Sequence, residues 1–123
     1  MSKLFWTLQV LLAVAFFAHG WLFLTPPPEI AVLMNASMPR WFQVFLGVAE
    51  VAAAIGLTLP ALTRILPAAT VWAATGVIIV TVSATAWHLI RGEYGSAVTT
   101  VLLFAMAGTV AWGRTRIAPI PAR

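Results

Sequence analysis

The chain has no cysteine and no aspartate, and only 8% of its 123 residues are charged. Without cysteine it forms no disulfide, offers no thiol nucleophile and supplies no thiolate ligand to an iron–sulfur cluster. A soluble domain carries roughly 25% charged residues, so there is too little polar surface here to cover a water-facing exterior. The net charge of +4 does not point to nucleic acid, because the seven cations stand singly between apolar runs and form no basic patch or stripe. A nucleophile–base motif, a phosphate loop and a dinucleotide fingerprint are also missing, so the sequence declares no catalytic activity. What is abundant is apolar: 62% of the residues. A membrane protein is the first reading.

Four apolar runs are each long enough to cross a bilayer as helices: about 4–24, 41–59, 68–90 and 97–113. The expected fold is all-α, a four-helix transmembrane bundle forming one domain over 1–113, with a loose cytoplasmic tail over 114–123. Prolines punctuate the runs. Pro26 to Pro28 follow the first, Pro39 precedes the second, Pro60 closes it, and Pro67 opens the third, where a missing N–H costs nothing. Ser96 is the expected N-cap of the fourth. The first run exceeds a signal-peptide core and no A-x-A site follows it, so it reads as a retained helix. The connection from Thr25 to Arg40 holds an apolar patch, Ile30 to Met34, that suits a short surface helix or a lid. Its Asn35-Ala36-Ser37 triplet fits a glycosylation sequon, a match that chance explains.

Charge sets the orientation. Lys3, Arg64, Arg114, Arg116 and Arg123 fall on one side of a four-pass chain; Arg40 and Arg91, accompanied by Glu29 and Glu93, fall on the other. The richer side is cytoplasmic by the positive-inside rule, which places both termini inside. The tryptophans agree. Trp6, Trp72 and Trp112 fall at the inner ends of spans and Trp21, Trp41 and Trp87 at the outer ends, where an amphipathic indole prefers to lie.

Small residues mark the expected helix contacts, since close packing drives association in lipid: Ala49, Ala52, Ala53 and Gly56 on the second span, Ala69, Ala73 and Gly76 on the third, Ala105 and Gly108 on the fourth. Against this background one residue stands out. Glu50 lies near the middle of the second span, where a charge costs about 3 kcal/mol on insertion scales. It should face other helices or a wet cavity, either protonated or hydrogen-bonded to His19. Gln43, Gly47 and Glu50 share one helical face, and Thr81, Thr85 and His88 share another. Apart from Gln9, every strongly polar or ionisable side chain within the spans sits at or outside the midplane. The expectation is a polar pocket that opens outward, floored by Glu50, with apolar packing on the cytoplasmic side. Its candidate ligand-binding residues are Glu50, His19, Gln43, Gly47, Thr85 and His88. A structural reading, in which Glu50 is a polar clasp between helices, stands beside the functional one.

His19 and His88 on the first and third spans could ligate a haem, but helix rise places His88 several Å nearer the surface and no spare ligand exists. His, His and Glu on three separate helices lack the local spacing of a metal site, so no metal is expected.

The stretches Gly47-x-x-Glu50, Gly56-Leu57-x-Leu59-Pro60 and His88-Leu89-Ile90-Arg91-Gly92-Glu93, in order across four spans, resemble the DoxX-like family of small four-helix membrane proteins. The resemblance implies a multi-pass protein of the bacterial cytoplasmic membrane and carries over Gly47 and Glu50, with His88, as motif positions. Some relatives are membrane subunits associated with quinone-linked sulfur oxidation or oxidative-stress enzymes, and distant ones act as chaperones or assembly factors. The lack of cysteine argues against the thiol-handling branches. From this follow three expectations: a component of a membrane redox system that binds a quinone-like molecule in the outward pocket; an interaction or assembly protein, with a partner membrane protein or a second copy; and, third, a haem-binding protein or transporter.

Overall fold

A computed structural model describes residues 2–123. Among these the chain is helical, with five helices and no strand: α1 (Ser2–Leu24), α2 (Pro28–Ser37), α3 (Arg40–Thr63), α4 (Ala68–Ile90) and α5 (Tyr94–Arg116). All but α2 are long and apolar enough to cross a membrane; at 1.5 Å rise per residue each runs to about 35 Å, against a hydrocarbon core of about 30 Å. They are the four expected spans, each continued by a residue or more at one or both ends except at α4. The helices pack in a ring, α1 on α3, α3 on α4, α4 on α5 and α5 back on α1. Helices α1 and α4 are therefore diagonal. Both termini lie at one end of the bundle, the terminal end, and α2 lies at the other.

Each long helix turns one stripe inward. On α3 it is Gln43, Gly47, Glu50, Ala54, Leu57 and Ala61, at alternating spacings of four and three, the repeat of a helix packed in a bundle. The core at mid-depth is apolar and includes Leu12, Phe16, Leu57, Val77 and Val110. Outward faces carry exposed Val, Ile, Leu and Phe, as expected where the solvent is lipid. Five tryptophans at helix ends, Trp21, Trp41, Trp72, Trp87 and Trp112, are exposed, in keeping with interfacial belts.

Glycine sets two of the contacts. A Cβ on Gly20 would lie 2.8 Å from the Gly47 carbonyl oxygen, and one on Gly47 would lie 2.9 Å from the Gly20 carbonyl oxygen. Helices α1 and α3 thus meet backbone to backbone. Gly56 meets Ala73 of α4 in the same way, where a Cβ would come within 2.8 Å of the Ala73 Cβ. On α5 the expected small pair does not make the contact: Gly108 has nothing near its Cβ position and Ala105 is exposed. The buried Ala107, Val110 and Gly113 do so instead, with the Phe5 ring filling the place of a Gly113 side chain.

Three element ends differ from expectation. Pro60 lies inside α3, which runs on to Thr63 and stops at Arg64 in the left-handed region (φ 57). A proline this close to a C-terminus removes only one bond of the last turns, so the helix continues past it. Helix α5 starts at Tyr94, with Glu93 rather than Ser96 at its N-cap position. At its other end α5 runs to Arg116, beyond Gly113, so Arg114 belongs to the bundle. The chain after α5 returns across the terminal end, where the Arg123 N–H donates to the Arg64 carbonyl oxygen at 2.9 Å. The patch at Ile30 to Met34 is part of α2, a helix with Pro28 in its first turn and no buried residue.

A candidate ligand cavity at Glu50 and His19

Glu50 faces the bundle and is 4% exposed. The close crossing at Gly20 and Gly47 places His19 of α1 one turn from it, and His19 Nδ1 lies 2.6 Å from Glu50 Oε2. The two glycines are the reason this bond can form: side chains at either position would push the backbones apart. The His19 side chain is 54% exposed, and its Nε2 bonds to no described residue. Glu50 Oε1 likewise accepts no hydrogen bond from a described residue, yet it is not among the fully enclosed polar atoms left without a partner. One oxygen of the carboxylate is thus held and the other open.

Both residues line a cavity of about 420 Å³ between α1, α3, α4 and α5, within the roughly 300–1,000 Å³ of small-molecule sites. Its walls combine apolar residues (Ala15, Phe16, Val80, Ala84, Leu103) with the polar side chains of Thr81, His88, Ser96, Thr99 and Thr100. A few polar groups set in an apolar wall are what a lipophilic ligand with one polar end requires. The cavity occupies the half of the bundle toward α2.

The other four expected residues take four different positions. His88 lines the cavity, and its Nδ1 lies 3.1 Å from Glu93 Oε1. The C-terminus of α4 makes this pair: Gly92, at φ +73, lets the Gly92 N–H donate to the Leu89 carbonyl and the Glu93 N–H to the His88 carbonyl, a Schellman turn that folds Glu93 back over the last helical turn. Arg91 Nε also donates to Glu93 Oε1, at 3.1 Å. These two donors hold the Glu93 carboxyl below the usual carboxylate range, the His88 bond contributing most. Thr85 stays outside the cavity wall; its hydroxyl pairs with that of Thr100, 2.7 Å away, and donates to the Thr81 carbonyl. Gly47 acts in the helix crossing. Gln43 is fully buried but bonded elsewhere: its Nε2 donates to Asn35 Oδ1 and to the Met38 carbonyl. Arg40, one turn earlier, donates to Gln43 Oε1 and to the carbonyls of Phe23 and Leu24. That network fastens α2 and the end of α1 to the start of α3.

Sequence reasoning placed Ser96 at a cap and gave Phe16 and Val80 no role. Small and apolar wall residues carry no signal until the helices are assembled. The terminal half of the bundle differs from expectation too. It is not purely apolar, because Arg114, 4% exposed, reaches inward to donate from Nε to Gln9 Oε1 at 2.6 Å, and Gln9 Nε2 donates to the Leu57 carbonyl. A glutamine set alone among apolar residues on α1 was the only sign of it.

The sequence model of the DoxX-like family matches residues 7–110. No curated protein and no solved structure matches the chain. The matched segment takes in all of the cavity's lining residues and most of each of the four spans.

Proposed function

The chain belongs to the DoxX-like family, and from that premise and the cavity at Glu50 we propose that it binds a quinone-like molecule as a component of a redox system of the cytoplasmic membrane. The cavity would open to the outer side, with both termini inside the cell. The observation that carries this reading is the Glu50–His19 pair, with one carboxylate oxygen and one ring nitrogen left free at a cavity whose wall mixes apolar and polar side chains.

The chemistry follows from counting protons. With Glu50 ionised and His19 neutral, the ring proton sits on Nδ1 and points at Glu50, so Nε2 carries a lone pair and accepts. With one more proton on the pair, on either residue, Nε2 carries N–H and donates. A single proton therefore switches Nε2 between the partner suited to a quinol hydroxyl and the partner suited to a quinone carbonyl. The chain's own part is to orient the bound ring, exclude water on the core side with Phe16 and Val80, and take or return a proton at Nε2. His88, Thr99 and Thr100 supply further polar contacts at the far wall.

The test is the affinity of a water-soluble benzoquinone for the purified protein in detergent. Glu50→Gln keeps the shape but loses the exchangeable proton, and should weaken binding about tenfold, the size of one hydrogen bond to a charged group. Equal affinity in wild type and variant would remove Glu50 from the role.

A second reading, a non-enzymatic assembly protein, is favoured by α2. This helix buries nothing and presents Val32 and Leu33, each 70% exposed. It predicts that Val32→Ser with Leu33→Ser dissociates membrane complexes that Glu50→Gln leaves intact.

A further inference from the structure

A second opening meets Glu50 from the lipid side. Between α3 and α4 runs a slot of about 380 Å³, lined by Ala49, Ala52, Gly56, Ala69, Ala73 and Gly76. The contact of Gly56 with Ala73 closes its floor, while Ala52 and Gly76 on its rims are exposed. Small side chains alone would be a packing surface. Here the slot ends on a carboxylate that is almost wholly buried and has an oxygen without a partner. Phe16, Glu50 and Val80 line both the slot and the polar cavity. The two spaces thus adjoin at one residue, one apolar and open to the bilayer, the other polar.

We infer that the slot seats the isoprenoid chain of a prenylated quinone whose ring lies beside Glu50 and His19. This rests on the quinone reading above and adds which class of quinone is taken and from where: a lipid-dissolved one, admitted sideways between α3 and α4. The slot walls expose almost nothing but methyl groups and backbone, so they offer a methyl-branched chain close contact and no hydrogen bonds. Because the chain leaves lipid for an equally apolar wall, it gains packing rather than hydrophobic transfer. Its effect on affinity is accordingly modest.

Gly76 makes the test clean. Nothing lies within 4 Å of its Cβ position, so Gly76→Leu grows into the slot without a clash. Gly108→Leu on α5 is the control, because Gly108 is equally unobstructed and lines neither space. The measurement is equilibrium binding to protein in nanodiscs of a single phosphatidylcholine. It compares a quinone bearing several isoprene units with the same ring lacking the chain. Gly76→Leu should weaken the prenylated quinone by about fivefold, a packing-sized loss, and leave the chainless ring unchanged; Gly108→Leu should alter neither. Unchanged binding of the prenylated quinone in Gly76→Leu overturns the inference while the ring site stands. An equal loss for both ligands also overturns it, since Gly76 would then be shaping the polar cavity. Phospholipid retained by wild type and lost from Gly76→Leu in native mass spectrometry, with quinone affinity intact, would assign the slot to a lipid acyl chain instead. Failure of both quinones to bind wild type would sink the ring site itself, and the slot assignment with it.

Discussion

Glu50 and Arg114 are both ionisable, both 4% exposed, and placed at different depths with different partners. Glu50 is bonded on one oxygen and open on the other. Arg114 is bound by Gln9 through Nε and by Ser2 and the Ala118 carbonyl through Nη1, with its guanidinium over the rings of Phe5 and Trp6. Three acidic residues exist in the chain, Glu29, Glu50 and Glu93, and none is salt-bridged to Arg114. Its bonds are therefore to neutral oxygens, and Gln9 depends on it. Arg114→Met should destabilise by about 1–3 kcal/mol, because Gln9 Oε1 is left buried without a donor. Adding Gln9→Leu should recover most of that loss, since an apolar pair leaves no orphan. Detergent unfolding midpoints of the two single variants and the double variant measure the coupling. Glu93 is the third residue-scale case. Its carboxyl is held low in the folded protein, so its stabilising contribution is present above the ordinary carboxyl value, about pH 4.3, and is lost as pH falls through the lower folded value. Wild type should lose thermal stability across that acid range by more than Glu93→Gln does. The difference should shrink in salt, because the cluster is exposed.

At the scale of elements, two glycine features do the positioning. The α1–α3 crossing at Gly20 and Gly47 brings His19 to Glu50. Gly20→Ala puts a methyl 2.8 Å from a backbone oxygen, which cannot swing aside as a side chain could. The helices must separate, at a cost of about 1–3 kcal/mol, and the His19–Glu50 bond should lengthen. Loss of the proposed quinone binding, with His19 and Glu50 both present, is the readout. The α4–α5 turn depends on Gly92 in the left-handed region, where any side chain costs about 1–2 kcal/mol. Gly92→Ala should lower the unfolding midpoint accordingly and loosen the His88–Glu93 pair, seen as changed ring chemical shifts of His88.

For the whole molecule, an even number of spans places both termini on one side, and the orientation proposed from the distribution of basic residues puts that side in the cytoplasm. The natural lack of cysteine makes this easy to check. In intact cells an impermeant maleimide should label Ser37→Cys, at the end of α2, and leave Ala122→Cys unlabelled until the membrane is broken. The opposite pattern would invert the bundle and turn the polar cavity to the cytoplasm.

Much of this was legible from residues alone. Four apolar runs with almost no charge specify spanning helices, because lipid tolerates no unsatisfied backbone. A lone carboxylate at mid-depth had to face inward, and the nearest possible cations to it were His19 and His88. The helical repeat put Gln43, Gly47 and Glu50 on one face. What that repeat could not give was rotation and partner. Whether Gln43 joined Glu50 in a cavity or tied down α2, and whether Thr85 or Thr100 met the space, depends on how each helix is turned about its own axis. Tertiary packing decides that, through contacts such as Gly20 on Gly47 and Phe5 on Gly113. Arg114 is the clearest instance. A charge at the end of a span reads as a tail residue in one dimension, and only a neighbouring helix offering Gln9 at the same depth draws it into the bundle.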